Sequence, residues 1–303
     1  ICTPEWEPAE SHVQYSSLTY SMGLEPILAD MRSALIGAGL DVEGSNSEYA
    51  PAQIEINVGH CDAMTVADNT VLYKSIVKQV AVQHGLRATF MPLPFVDAGG
   101  SGMHIHTSLL DGGGDNAFAS SDGHPNELMG RWVAGLLEHA VDFSLLGSPT
   151  PHGFKRIRPY TFAPTHVHWG GDNRTVLART ICEAGSKANR VEFRSAGADA
   201  NPYVAIAGLL AAGQDGMERK LELPAISTGD MYGNPGECVP LPTDYGEALA
   251  AFRASNLAAA LGKSFSVGYA CIADAELAAA AEAGVLDGDE TTDWERSRYM
   301  EFS

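Results

Sequence analysis

Lys155, Arg156, Arg158, Arg174, Arg179, Lys187, Arg190 and Arg194 fall within one 40-residue stretch, against only Asp172, Glu183 and Glu192. That stretch carries net +5 in a chain whose formal net charge is −19. Such an inversion of sign suits a strongly anionic small molecule, because the arginine fork matches phosphate and carboxylate oxygens. Arg190-Val191-Glu192-Phe193-Arg194 alternates polar and apolar. As a strand it sets Arg190, Glu192 and Arg194 on one face, with Val191 and Phe193 on the other. A carboxylate between two arginines points at an anion only if a metal cation binds there too. Ion pairs along an exposed strand are the alternative reading.

More carboxylates follow the same pattern. Glu5 and Glu7 stand two apart, on one face of a short strand. Glu48 precedes an alternating run in which Gln53, Glu55 and Asn57 share one face while Ile54, Ile56 and Val58 share the other. The run 103–109 puts His104, His106 and Ser108 together. Glu5, Glu7, Glu48, Glu55, Glu192 and His104 thus form a set of carboxylates with a single imidazole. If the apolar faces pack on helices, the polar ones converge on a concave side, where buried carboxylates need cations. Oxygen ligands with one imidazole suit Mg²⁺ or Mn²⁺ better than Zn²⁺, and the set suffices for two ions. Two such ions beside arginines are what phosphoryl transfer from a nucleoside triphosphate requires. A water-facing acidic strand set is the alternative.

The elements that must position these groups are legible as periodicities. Helices are expected at 18–39 (Leu24, Ile27, Leu28, Met31, Leu35 and Ile36 at helical spacing), 62–85 (Val66, Leu72, Val77 and Val80 inside), 126–146, 201–218, 245–261, 273–284 and 294–302. Strands are expected at 53–58, 88–91, 103–109, 165–169, 176–179 and 190–194. A Pro- and Gly-rich turn runs from 92 to 100. The expected fold is one α+β domain over 1–303: an antiparallel sheet, polar on its inner face, wrapped by helices. His166 and His168 are read as neutral inner-face histidines. Gly112-Gly113-Gly114 is no phosphate loop, since no Lys-Ser/Thr follows it.

Composition narrows the function classes. Hydrophobic content of 45% with 19% charged residues describes a folded globular chain. The negative charge excludes nucleic-acid and anionic-membrane partners. Five scattered cysteines, with no CxxC pair, read as reduced thiols of a cytoplasmic protein. The chain begins abruptly at Ile1, as though something preceded it.

Pro4-Glu5-Trp6-Glu7, Glu48-Tyr49-Ala50-Pro51-Ala52-Gln53-Ile54-Glu55, the run 88–92, Gly100-Ser101-Gly102-Met103-His104-Ile105-His106, Lys155-Arg156, Asp172-Asn173-Arg174, Arg190-Val191-Glu192-Phe193-Arg194 and Asn201-Pro202-Tyr203 form an ordered series. Together they resemble the catalytic domain of the glutamine synthetase family. The resemblance implies a curved antiparallel sheet, a partial barrel surrounded by helices. It implies a homo-oligomer of stacked hexameric rings, a dodecamer, with a small N-terminal β-grasp-like domain that this chain lacks. By the same resemblance Glu7, Glu48 and Glu55 hold one metal, and Glu5, His104 and Glu192 the other. Lys187, Arg190, His106 and Ser108 contact ATP. Arg156, Arg174, Arg194 and Gly100 hold glutamate, and Arg174 and Arg179, with Arg156, serve catalysis at the phosphoryl group.

The family activates the γ-carboxylate of glutamate as an acyl phosphate, which ammonia or an amine then displaces. Departures bear on that last step. Phe162 stands where glutamine synthetases proper have a flap glutamate, and Gly99 where an asparagine touches glutamate. The spacing from Glu7 to Glu48 is also shorter than the family's. Phe162 can neither take a proton nor hold ammonium by a charge pair, but its ring suits the carbon body of an organic amine. The expected activity is therefore γ-glutamyl amide synthesis from an organic amine. Glutamine synthesis from ammonia and a non-catalytic ring-forming role are the alternatives.

Overall fold

A computed structural model describes residues 1–10, 15, 18–95 and 99–303, with side chains of the first helix described from Gly23 onward. Part of the expected 92–100 turn, at 96–98, lies outside the described residues. The chain forms two compact units, 1–100 with 291–303, and 101–290. The boundary after Gly100 falls at the end of the Pro- and Gly-rich stretch 92–100, which is too short to be read from the sequence as a linker between domains.

In the first unit, α1 (Leu18–Gly37) and α2 (Ala63–Gln83) cover a two-stranded antiparallel sheet of β1 (Val42–Ser47) and β2 (Ile54–Val58). Leu24, Ile27, Leu28, Met31 and Leu35 line the buried stripe of α1. Ile36, expected inside, is exposed, since it lies one residue off that stripe. Gly39, at φ +93°, closes α1: Leu40 N–H returns to the Leu35 carbonyl at 3.1 Å. Asp62 caps α2, accepting from the N–H groups of Met64 and Thr65. Val77 and Val80 face inward, but Leu72, five residues before Val77, is carried to the exposed side. The expected strand 88–91 does not form; the only pairing nearby among the described residues is a bridge of Arg87 to Cys2. α10 (Asp293–Tyr299) is fixed by a capping box between Thr292 and Glu295.

The second unit is built on a four-stranded sheet of order β3-β6-β5-β4, comprising β3 (Ile105–Thr107), β4 (Trp169–Gly170), β5 (Ala178–Ile181) and β6 (Arg190–Phe193). β4 runs parallel to β5, so this sheet is mixed rather than antiparallel throughout. Strand 165–169 is reduced to β4, and 176–179 is displaced toward Ile181. Val191 and Phe193 turn into a core of α3 (Glu127–Glu138), α4 (Ala140–Gly147) and α6 (Pro202–Glu218), where Phe143 meets Phe193 edge-on at 5.1 Å. α3 and α6 nearly touch backbones. A Cβ at Gly135 would lie 2.2 Å from the Ala212 carbonyl oxygen. α5 (Pro151–Phe154), α7 (Tyr245–Ala254), α8 (Asn256–Ala260) and α9 (Lys263–Glu282) complete the unit. The expected helix 245–261 is split at Ser255, whose side chain caps α8, and α9 starts ten residues before the expected 273.

The expected helix 126–146 breaks at His139, for a reason that periodicity hides. Buried His139 puts Nδ1 3.3 Å from Asp142 and Nε2 2.9 Å from Asp215 on α6. The bond to Asp142 raises its pKa, burial opposes, and Asp215 raises it further. A raised folded-state pKa contributes stability that is complete below the ordinary value of about 6.5 and is lost as pH rises through the folded value. Thermal unfolding followed from pH 5.5 to 8.5 should therefore show a midpoint falling by about 2–4 °C. His139→Gln should reduce that slope; an unchanged slope would show that His139 does not titrate as described.

Candidate active site

Glu192 is the centre of the second unit's polar face. β6 lies between β3 and β5, and the register sets His106 and Arg179 opposite Glu192 on either side. Glu192 is buried. It accepts from Arg194 at 2.7 Å and Arg179 at 3.3 Å, and His104 Nδ1 lies 3.2 Å away. Burial alone would raise its pKa, but His104 and Arg194 outweigh it and hold the carboxyl well below the usual range.

His104, His106 and Ser108 share the open side of β3 and its extension, as their alternation requires, while Met103, Ile105 and Leu109 turn to the core. About a third of the His104 side chain is exposed, but it sits deep among protein groups. That burial lowers its pKa, Glu192 opposes, and Arg194 and Arg156 lower it further, so the imidazole is neutral near pH 7 with a lone pair to offer. Burial likewise lowers His106, whose Nδ1 accepts from Arg190 Nε at 3.1 Å.

Arg156 is the most deeply buried of the arginines, donating to the carbonyl oxygens of Ser195 at 3.1 Å and Arg194 at 3.5 Å. Burial brings its pKa down to about 10. Its Nε is enclosed without a partner. A buried guanidinium served mainly by carbonyls attracts an anionic ligand. Gly102 leaves it room, since a Cβ there would lie 2.7 Å from its terminal nitrogen and 3.2 Å from His104 Nε2. Arg174 and Lys187 are exposed, and the Lys187 carbonyl accepts from Asn116 at 2.8 Å.

Tyr160 and Phe162 hold left-handed φ values of 65° and 64° and are 67% and 40% exposed. Two such aromatics, alternating on one loop, mark local strain of the kind found at functional sites. The Tyr160 ring lies 5.6 Å from Tyr232, whose phenol hydrogen-bonds with Arg194. Sequence reading missed Tyr232, because no periodicity in its Gly/Pro-rich loop links it to β6. His168, buried, accepts the Leu177 N–H at Nδ1, and burial lowers its pKa, so it is the neutral histidine expected. Gly112–Gly114 form a turn held by Asp111.

In the first unit the pairing of β1 with β2 sets Asn46 opposite Glu55, and Asn46 donates to Glu48 at 3.0 Å. Burial, then the hydrogen bond and charge of Glu55, push Glu48 up to about 7. Two carboxylates sharing a proton are an oxygen donor pair that a hard divalent cation would suit. Gln53 holds the Gly100 carbonyl at 3.2 Å, and Gly99 is half-buried beside it. Glu5 and Glu7 are not on a strand. They sit exposed in a turn closed by Trp6 N–H to the Thr3 carbonyl, with Trp6 at φ 63°, so strand alternation does not apply to them. Among the described residues no three His, Cys, Asp or Glu side chains gather as a preformed metal cluster.

A raised carboxyl destabilises its ionised folded form, so without a divalent ion stability should fall as pH rises from about 4.5 to about 7. Mg²⁺ or Mn²⁺ should flatten that fall and release about half a proton on binding near pH 7. Calorimetry in two buffers of different ionisation heat measures the proton. No release, with Glu48→Gln binding as tightly, would remove this pair from the metal site.

The family model described as glutamine synthetase, catalytic domain, matches residues 3–299. The chain is 38% identical over 296 residues to gamma-glutamylethanolamide synthetase GlnA4 of Streptomyces coelicolor, covering 97% of this chain and 61% of that protein. It is 36% identical to a glutamate–isopropylamine ligase of a Pseudomonas species, covering 85% and 57%. With a glutamine synthetase of Thermus thermophilus it shares 39% identity, covering 76% and 52%. A solved structure described as a GmaS/ADP complex aligns with TM-score 0.84 at 30% identity, covering 98% of this chain and 69% of that one. The chain thus spans roughly half to three-fifths of the length of these curated relatives.

Proposed function

The chain belongs to the glutamine synthetase family through its catalytic domain, and from that premise we propose that it acts as an ATP-dependent γ-glutamyl amide synthetase. The γ-carboxylate of glutamate takes the terminal phosphoryl group of ATP, and an organic amine displaces phosphate from the acyl phosphate. Phe162 carries the choice of an amine over ammonia, its exposed ring offering apolar surface to a carbon body that ammonia lacks. Relatives named for an ethanolamide product and an isopropylamine substrate support the same class. Glutamine synthesis is the second reading, favoured by the relatives of similar identity that bear that name.

Glu48 with Glu55, and His104 with Glu192, are the groups that would hold divalent Mg²⁺ or Mn²⁺; Glu5 and Glu7 join them by family resemblance alone. Such ions supply charge neutralisation at the transferring phosphoryl oxygens. Arg156, its Nε enclosed without a partner, binds a glutamate carboxylate with Arg194 and Arg174. Arg179 and Arg174 reach the phosphoryl group. Lys187, Arg190, His106 and Ser108 hold the nucleotide. The face bearing His104, His106, Arg179 and Glu192 serves as the concave side of a curved sheet. Assembly into stacked rings, and a cytoplasmic location suited to five unpaired thiols, complete the reading. Among the described residues no helix is long and apolar enough to cross a membrane.

The decisive experiment is phosphate release by the full-length protein with ATP and glutamate across a panel of amines and ammonia. Preference for an alkyl or hydroxyalkyl amine is expected; preference for ammonia over every amine would return the assignment to glutamine synthesis.

A further inference from the structure

An organic amine arrives at neutral pH as a cation and must lose a proton to become a nucleophile, so its site needs an anion that water can reach. Glu192 cannot be that group: it is buried and already engaged by Arg194, Arg179 and His104. Phe162 carries no charge. Arg179, however, splits its fork. One terminal nitrogen faces Glu192 at 3.3 Å, and the other donates to Asp172 Oδ1 at 2.6 Å, where the Asp172 side chain is 90% exposed.

The turn that bears Asp172 is fixed locally. The Asn173 side chain accepts the Thr175 N–H at 2.9 Å and donates to the Gly229 carbonyl at 2.9 Å. The carboxylate is therefore held at the rim of the arginine cluster, one side chain away from its buried centre. An exposed ion pair contributes little to stability, so anchoring the fold is a poor account of its placement.

We propose that Asp172 binds the ammonium group of the acceptor and takes its proton as the amide forms, an inference that rests on the ligase reading above. Oδ1 stays with Arg179, and the other carboxylate edge receives the cation. One N–H proton of the bound ammonium passes first to Asp172, which frees the nitrogen electron pair to form the C–N bond to the acyl carbon. The C–O bond to phosphate breaks, and phosphate leaves with the C–O electron pair and takes up the second N–H proton as hydrogen phosphate. Asp172, open to solvent, then returns its proton to water. Arg179 joins the two events, facing the phosphoryl group and orienting the carboxylate that serves the nucleophile.

The test compares two nucleophiles on the full-length protein with ATP and glutamate. Ethanolamine is an ammonium ion at pH 7, whereas hydroxylamine is already neutral. Asp172→Asn should lower γ-glutamylethanolamide formation by about 100-fold or more while lowering hydroxamate formation by less than about threefold. Asp172→Glu should recover most of the ethanolamide rate. Equal losses with both nucleophiles would show that Asp172 acts only through Arg179 and would overturn the proposal, as would an undiminished ethanolamide rate. If the unmodified protein makes neither product, the ligase reading falls first and this inference with it.

Discussion

Glu192→Gln is expected to lower amide synthesis by about 10³-fold and to destabilise the second unit as well. The carboxylate is shared by Arg194, Arg179 and His104, and it is buried with Arg194. Removing its charge strands two guanidinium groups, a loss of about 3 kcal/mol for a broken buried network. It also deprives the candidate metal site of an anion beside a neutral imidazole. Thermal unfolding separates the two effects, because a variant assayed well below its midpoint reports the catalytic loss alone. Glu192→Asp, which keeps the charge, should recover stability before it recovers rate. Full turnover in Glu192→Gln would remove Glu192 from the reaction.

Phe162→Glu is expected to shift the ratio of ammonia use to ethanolamine use by about 10- to 100-fold toward ammonia. The new carboxylate supplies charge for ammonium and a proton acceptor, and it removes the apolar surface on which a larger amine packs. Position 162 holds φ at 64° and is 40% exposed, so glutamate meets the same backbone cost as phenylalanine without burying a charge. Competition between labelled ammonium and ethanolamine, read as the product ratio, measures the shift. An unchanged ratio would place the acceptor away from this loop.

How much of this was legible beforehand follows from the range of each interaction. The alternations of Arg190–Arg194, 53–58 and 103–109 were readable because a strand's period of two is set by its own backbone, and the inner faces formed by Val191 with Phe193, Ile56, and Met103 with Ile105 follow from it. The helix starts expected at 62 and 201 hold to within one residue, because Asp62 and Asn201 cap α2 and α6 through local hydrogen bonds. Where the pattern depended on contacts outside its own segment, it failed. Helix 126–146 breaks because His139 finds Asp215 on a helix 76 residues away, and Glu5 and Glu7 left their expected strand for a turn.

The sequence by itself determined which chemistry is possible: arginines for anions, carboxylates and one imidazole for hard cations, and an aromatic ring in place of a carboxylate. The first two follow from side-chain type and from local periodicity, and the last from the family resemblance. Only the tertiary structure decided which groups meet. The strand order β3-β6-β5 puts Arg179 opposite Glu192, Tyr232 reaches Arg194 from a loop 38 residues on, and Asp172 lies at the open end of the Arg179 fork. Strand order, register and loop packing are set by burial shared among distant segments. Period two shows which way a side chain faces, but not which strand will lie beside it.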